Sequence, residues 1–337
     1  MSCGPICTSP PTTLCLSGKC AKYPADNVTF DVEDAVPPQE KANARRMAAE
    51  NLKAAGANGA LVYVRVNGWH TEYTNDDLEA VVQPGLDGIT LPKTRSADDV
   101  KRLDWKISEL EARRGIPAGT VKIAVLLETA EGIMNAYSIC KASPRIVAAF
   151  FGAVDYCCDM RITRTNLAEE QLVARTIVAM AARAAGILAL DAPFADYSNM
   201  DDFRRNTLDG RQMGYEGRMI IHPSQIAVAH ELYSPAEEEV AHARRVKQFF
   251  EEEGLAKGLA SVSMDGAMVD TPVYQSALNV LELYEAIQAK STAEPDGSAG
   301  CGGQRRACRG HGFEWGWIHP WVPAESVSAG GPDFWIL

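Results

Sequence analysis

The feature that most constrains the fold of this 337-residue chain is a repeated alternation of short apolar strands with helical segments. Seven runs of four to seven residues, most of them rich in β-branched residues, are each followed by a stretch of helical spacing or a loop. They are residues 28–32, 61–66, 88–91, 121–127, 146–151, 187–190 and 218–221. Repeated βα units predict a mostly parallel sheet, which is either open and doubly wound or closed into a barrel.

Dinucleotide-binding sheets have a glycine-rich turn after their first strand, and the first run here is not followed by one. Its absence favours a TIM (β/α)8 barrel over an open sheet. Seven runs leave such a barrel one strand short. Residues 11–18 are a poor candidate for the first strand, because only about a dozen residues then remain before Asp31, too few for a helical crossover. We therefore predict an α/β barrel whose first strand is missing or atypical, followed by a C-terminal helical appendage.

Changes in composition and periodicity divide the chain into four predicted segments. They are an irregular leader (1–22), the barrel (23–230), the helical appendage (231–290) and a disordered tail rich in Gly and Trp (291–337). Two segments carry more specific local predictions. Residues 169–185 predict a helix whose inner face carries Leu172, Ile177, Met180 and Ala184, and residues 264–270 predict a loop before a final helix over 271–289.

The charge balance argues against a nucleic-acid partner. The chain has 44 acidic and 33 basic residues, a formal charge of −11, and no dense basic stripe. No apolar run approaches the roughly 20 residues of a membrane span, so no membrane partner is expected. No cleavable targeting segment is visible, so the default expectation is the cytoplasm, although an organellar signal could be missing together with the atypical N-terminus.

Polar side chains follow the apolar runs at the ends of the predicted strands. In a barrel these ends meet at one mouth, where residues distant in sequence can contact one small ligand. The residues are Asp31, Glu33, Asp34, Arg65, Asn67, Lys93, Glu128, Asp155, Asp191 and His222.

Glu128 and Asp155 follow neighbouring strands and are candidate ligands of Mg²⁺. This ion prefers oxygen ligands and typically takes one or two carboxylates, which leaves positions for water and substrate. The alternative is that both are strand-end acids that cap the following helices.

Arg65 lies inside a β-branched strand, where its charge must be paired or must face the barrel mouth. It either contacts the carboxylate or enolate of a ligand or forms an ion pair with Asp31 or Glu33, and the two roles are compatible. His222 is interpreted as a hydrogen-bonded supporting residue.

Seven ordered segments resemble the citrate-lyase beta-subunit-like branch of the HpcH/HpaI aldolase family, which includes malyl-CoA and citramalyl-CoA lyases. They are FDVEDAV (30–36), VRVN (64–67), LPK (91–93), LETAEG (127–132), GAVD (152–155), GRMIIHPSQI (217–226) and DGAMVDTP (265–272). The resemblance extends over about residues 23–287, whereas the family's opening pattern Arg-Ser-x-Leu-Phe-Val-Pro-Gly is absent.

The resemblance implies a Mg²⁺ site at Glu128 and Asp155, and a 2-oxo acid or enolate bound by Arg65, Lys93 and Glu128. Glu33, Asp34, Asn67 and His222 would support these residues from behind. Asp270 would reach the barrel of a neighbouring subunit as an acid or base, so the resemblance also implies a homo-oligomer, a trimer or hexamer.

The implied function is a carbon–carbon lyase that cleaves a 3-hydroxyacyl-CoA of the malyl-CoA or citramalyl-CoA type to acetyl-CoA and a 2-oxo acid, or catalyses the reverse condensation. The residue types agree with this chemistry, because cleavage leaves a carbanion that must be held as an enolate near positive charge. Two alternatives stay open: an aldolase acting on free pyruvate and an aldehyde, and a catalytically impaired barrel with an interaction role.

Overall fold

Seven of the eight strands in the main sheet are parallel in a computed structural model, which describes residues 24–292 and 335–336. The strands are β1 (Asn27–Asp31), β2 (Leu61–Arg65), β3 (Gly88–Leu91), β4 (Lys122–Leu127), β5 (Ile146–Phe151), β6 (Leu188–Asp191) and β7 (Gly217–Arg218). They pair in consecutive order, as in a (β/α)8 barrel. Six of the predicted strands are confirmed, whereas β7 is only two residues long and shares only Arg218 with the predicted run 218–221.

Helices follow the strands in the predicted alternation. They are α1 (Lys41–Ala55), α2 (Thr74–Val81), α3 (Ala97–Arg114), α4 (Ala130–Met134), α5 (Ala136–Cys140), α6 (Ala153–Asp159), α7 (Leu172–Ala185), α8 (Met200–Met213) and α9 (Ile226–Tyr233). Short 3-10 helices occupy Pro38–Glu40, Glu169–Gln171 and Pro223–Gln225. None of the described helices has the length and apolar content that a membrane span requires.

Helix α3 shows how local sequence sets these boundaries. Ser96 accepts a hydrogen bond from the N–H of Asp99, and the Asp99 carboxylate accepts one from the N–H of Ser96, which forms a capping box. Gly115 ends the helix with a left-handed φ of 65°. Val100, Leu103, Ile107 and Leu110 repeat at helical spacing and are fully buried.

The predicted inner face of α7 is wrong. Leu172 and Met180 are 49% and 59% exposed, and the buried face instead carries four alanines, Val178 and Arg175. Arg175 turns inward because it forms an ion pair with Asp191 at the end of β6. Alanine can lie on the buried or on the exposed face of a helix. Periodicity alone therefore does not determine which face of α7 is buried.

The edge strand beside β1 was not predicted. Residues Trp335–Ile336 form the two-residue strand β10, which pairs antiparallel with β1 so that Val28 lies opposite Ile336. The predicted leader, the candidate strand 11–18 and the rest of the predicted disordered tail beyond residue 292 lie outside the described residues.

The chain divides into two compact units, with the boundary between Ala229 and His230. Described elements beyond that boundary are α10 (Glu237–Phe249), a π-helix (Phe250–Gly254), a 3-10 helix (Leu255–Lys257), β8 (Ser261–Met264), β9 (Ala267–Asp270) and α11 (Thr271–Thr292). Their apolar core consists of Val240, Ala243, Val246, Phe250, Met264, Val269, Ala277 and Leu281.

The predicted final helix is confirmed as α11, but the loop predicted over 264–270 is wrong. Strands β8 and β9 form an antiparallel hairpin in which Met264 lies opposite Ala267. Asp265 and Gly266 form the turn with φ of 52° and 83°, the left-handed pair that a type I′ turn requires. The Asp-Gly dipeptide was the available sequence signal for this hairpin.

Candidate active site at the strand ends

Arg65 is the buried cation at the end of β2. Its Nε and Nη2 donate to the Oδ1 and Oδ2 atoms of Asp31 at 2.9 and 2.6 Å, and its Nη1 lies 3.2 Å from Oε2 of Glu33. Burial disfavours its charge, but Asp31 and Glu33 hold the pKa of Arg65 above its usual value. The expected ion pairs with Asp31 and Glu33 are therefore both present, and Arg65 is held in a fixed orientation.

Lys93 follows β3 and links four carboxylates through its backbone and its side chain. Its left-handed φ of 48° directs the backbone N–H to Oε1 of Glu128 at 2.7 Å. Its Nζ donates to Asp34 at 2.7 Å and to Glu33, and lies 3.5 Å from Oδ1 of Asp155. Burial disfavours its charge, but hydrogen bonds to Asp34 and Glu33 raise the pKa of Lys93, so it stays an ammonium.

Glu128 is 1% exposed, and a glycine directly after the next strand makes room for it. A Cβ atom added to Gly152 would lie 2.4 Å from Oε2 of Glu128. The alternative capping role does not fit, because Thr129 caps α4 through the N–H of Gly132 at 3.0 Å. Asp155 lies in the first turn of α6, and Gly152 occupies the N-cap position. Neither carboxylate therefore occupies an N-cap position.

Three residues behind the site were missed or only partly recognised from sequence. Lys41 donates to the carbonyl oxygens of Val32 and Glu33 at 3.0 and 2.7 Å and to Oδ1 of Asn67 at 2.7 Å. Asn67 donates through its backbone and side chain to Asp77 at 2.9 and 2.6 Å. The sequence contains no clear signal for Lys41 or Asp77, because both lie on helices where a charged residue is normally solvated.

The network carries more negative than positive charge. Its carboxylates are Asp31, Glu33, Asp34, Glu128 and Asp155, and its cations are Arg65, Lys93 and Lys41. The carboxylates outnumber the cations, so the cluster has an excess of negative charge that a divalent cation would reduce. Burial, and then repulsion from Asp155, raises the pKa of Glu128 well above its usual range.

The donor set suits a metal with few protein ligands. Among the described residues, no group of three or more His, Cys, Asp or Glu side chains is arranged to hold a metal ion. Glu128 and Asp155 form a pair instead, and Mg²⁺ is the ion that one or two carboxylates typically bind, with water or substrate at its other positions.

Two other strand-end residues contact structural partners. Nδ1 of His222 accepts a hydrogen bond from the N–H of Ser224 at 3.3 Å, and its ring stacks on Tyr197 with centroids 4.6 Å apart. Asp191 is fully buried against the guanidinium of Arg175. A Cβ atom on Gly210 would meet Asp191 at 2.4 Å, so this pair also depends on a glycine.

Asp270 belongs to the second unit, where it ends β9 and precedes α11. Its Oδ1 accepts a hydrogen bond from the N–H of Val273 at 3.2 Å, which is a helix-capping contact. The expected role as an acid or base for a neighbouring subunit stays a prediction.

A family profile and individual relatives of known name point to the same family. The profile of the HpcH/HpaI aldolase/citrate lyase family matches residues 9–223. The chain is 37% identical to the citrate lyase subunit beta of Leuconostoc mesenteroides subsp. cremoris, over 78% of this chain and 87% of that protein. It is 30% identical to the L-malyl-CoA/beta-methylmalyl-CoA lyase of Rhodobacter capsulatus, over 75% and 85% respectively. The predicted family resemblance is confirmed.

Solved structures agree with the predicted fold class. The CitE protein of Mycobacterium tuberculosis in complex with magnesium, acetoacetate and coenzyme A matches with a TM-score of 0.63 and 28% identity, over 77% of this chain and 90% of that one. A citrate lyase from Burkholderia xenovorans LB400 matches with a TM-score of 0.70 and 20% identity, over 80% and 86%, and supports the fold alone.

Proposed function

The chain belongs to the HpcH/HpaI aldolase/citrate lyase family, and on that premise we propose that it is a Mg²⁺-dependent carbon–carbon lyase. Its substrate is a 3-hydroxyacyl-CoA of the malyl-CoA or citramalyl-CoA type, cleaved to acetyl-CoA and a 2-oxo acid or formed in the reverse condensation. The observation that carries the proposal is the pair Glu128 and Asp155, bordered by the fixed cations Arg65 and Lys93. Malyl-CoA lyases among the relatives support the thioester class.

Glu128 and Asp155 are the residues that would hold Mg²⁺. When bound, the ion supplies Lewis acidity to the carbonyl of a 2-oxo acid. Gly152 keeps the space beside Glu128 open, and the N–H of Lys93 fixes one of its oxygens, so the other oxygen has a defined direction. The magnesium named with the Mycobacterium tuberculosis structure supports this assignment.

Arg65 supplies positive charge that does not reorient during the reaction. Its Nε and Nη2 are occupied by Asp31, and the guanidinium is directed by that pair and by Glu33. We assign it to the carboxylate or enolate oxygen of the bound oxo acid. A preorganised cation of this kind stabilises charge that develops in the transition state. Lys93 extends the positive charge toward Asp155 and completes the substrate-binding set with Arg65 and Glu128.

The cleavage requires two proton movements. Removal of the 3-hydroxyl proton gives an alkoxide, whose electron pair forms the carbonyl of the 2-oxo acid as the carbon–carbon bond breaks. The electrons of that bond pass to the acetyl-CoA enolate, which takes a proton at carbon. We assign both movements to Asp270 of a neighbouring subunit, whose carboxylate takes the hydroxyl proton and returns it to the enolate carbon, so the proposal includes a homo-oligomer.

The deciding experiment measures glyoxylate release from malyl-CoA and pyruvate release from citramalyl-CoA, with Mg²⁺ and then with excess chelator. We expect chelator-sensitive release of one oxo acid, and loss of that release in Glu128→Gln and Asp155→Asn. Glu131→Gln is the matched control, because Glu131 is an exposed residue on the adjacent helix α4.

No release from either thioester contradicts the proposal. Formation of an aldol product from free pyruvate and an aldehyde would then identify an aldolase that uses the same metal and Arg65. A folded protein that binds Mn²⁺ without either activity would identify an impaired barrel.

A further inference from the structure

Lys41, the first residue of α1, uses its entire hydrogen-bonding capacity on the backbone and an amide behind the site. An ammonium has three N–H donors, and Lys41 has three acceptors: the carbonyl oxygens of Val32 and Glu33, and Oδ1 of Asn67. The residue is 7% exposed. A buried ammonium with these three hydrogen bonds links the segment at residues 32–33 to the segment that contains Asn67.

The two segments that Lys41 joins follow neighbouring strands. Val32 and Glu33 come directly after β1, and Asn67 comes two residues after β2. Asn67 adds a second link, because its Nδ2 donates to the same Val32 carbonyl oxygen at 2.9 Å and to Asp77 at 2.6 Å. Asp77 in turn lies 3.0 Å from Nε of Arg45. Movement of either segment therefore breaks several buried contacts.

The second carbonyl that Lys41 holds, that of Glu33, belongs to the peptide bond between Glu33 and Asp34. These are the two residues whose carboxylates bind Nζ of Lys93, and Glu33 also contacts Arg65. Fixing this peptide plane fixes the directions in which both carboxylates leave the backbone. We propose that Lys41 is a positioning residue for the lyase reaction, which acts through the Glu33–Asp34 turn on the two substrate-binding cations; this inference rests on the function proposed above.

The role predicts that loss of the ammonium changes catalysis more than it changes folding. Lys41→Met keeps the length of the side chain and removes the donors, and we expect kcat/KM of the folded protein to fall by roughly 10- to 100-fold, as a displacement near 1 Å of positioned groups does. Lys41→Arg retains donors and should recover part of this loss. Lys53→Met, at an exposed position on the same helix, should leave kcat/KM unchanged.

A double-mutant cycle separates positioning from general destabilisation. Lys41→Met and Asp34→Asn should have non-additive effects on kcat/KM, because both act through one turn. Additive effects, or a Lys41→Met protein that melts earlier but keeps the wild-type kcat/KM when folded, would overturn the inference.

A structure of ligand-free Lys41→Met tests the inference independently of activity. We expect Glu33 and Asp34 to move away from Nζ of Lys93. If both carboxylates keep their contacts, Lys41 does not position them, whatever the enzyme catalyses. A wild-type protein without lyase activity, together with displaced carboxylates in the variant, would reject the proposed function and keep Lys41 as the residue that orders this turn.

Discussion

Arg65 and Asp31 form a bidentate pair across adjacent parallel strands, with their Cα atoms in register and Nη2 2.6 Å from Oδ2. Both side chains are nearly inaccessible to solvent. The planar guanidinium matches a carboxylate with two parallel hydrogen bonds, a geometry that a lysine ammonium does not reproduce. The pair therefore determines the orientation of the cation as well as its charge.

Arg65→Lys should retain a positive charge and lose this geometry. We expect kcat/KM to fall by about 100-fold or more, and the free energy of unfolding to fall by about 3 kcal/mol, because Asp31 is left buried with an incomplete partner. Steady-state kinetics and urea unfolding measure the two effects. Arg46→Lys is the control, since the Arg46–Glu50 pair is more than half exposed and contributes at most about 1 kcal/mol. Wild-type kinetics in Arg65→Lys would contradict the assignment of Arg65 to substrate.

Gly152→Ala should disable the carboxylate pair. The new methyl group would lie 2.4 Å from Oε2 of Glu128, so Glu128 must leave its position. We expect Mn²⁺ affinity, measured by electron paramagnetic resonance, to fall by about 10-fold or more. Gly115→Ala serves as the comparison. Alanine in the left-handed conformation of Gly115, with φ of 65°, costs roughly 1 kcal/mol of stability, and the site stays intact. Equal Mn²⁺ affinity in both variants would exclude Glu128 as a ligand.

Glu111 should make stability depend on pH. Burial alone would raise the pKa of Glu111, but Arg145 and the N–H groups of Val121 and Gly119 lower it below its usual value. A depressed folded-state pKa contributes stability above the unfolded-state pKa, and this contribution is lost as pH falls through the folded-state value.

Glu111→Gln should therefore lower the free energy of unfolding by about 3 kcal/mol at pH 7, with the difference from wild type shrinking below about pH 4. Denaturant unfolding at several pH values measures this. Glu50→Gln, at an exposed position, should show a small difference that changes little with pH. A difference for Glu111→Gln that grows on acidification would show that the sign is wrong.

Asp270→Asn separates an acid from a helix cap. Asparagine caps helices about as well as aspartate, so the stability of α11 should change by only a few tenths of a kcal/mol. Loss of a general acid should lower kcat by roughly 100- to 10,000-fold. Mixing this variant with Glu128→Gln before reassembly should restore activity, because an intact barrel then meets an intact Asp270 from another subunit. Full activity of Asp270→Asn alone would remove Asp270 from the reaction.

The hydrophobic pattern of the chain was sufficient to predict its strand succession. Six of the seven apolar runs became β1–β6 because parallel strands buried on both faces require continuous apolar residues, a signal that depends on local sequence. Asp31, Arg65 and Glu128 could likewise be placed at strand ends, since a polar residue after a buried run marks the point where the chain leaves the sheet.

Tertiary structure decided how these residues are used. The rotation of α7 followed the Arg175–Asp191 pair rather than its larger apolar residues. Lys41 is buried because it donates to Glu33 and Asn67, which lie outside its own helix. Sequence periodicity records which positions avoid water, and it predicted the sheet and the strand ends of this protein. The partner of each buried charge depends on distances between segments remote in the chain, and only the folded arrangement of the strands fixed them.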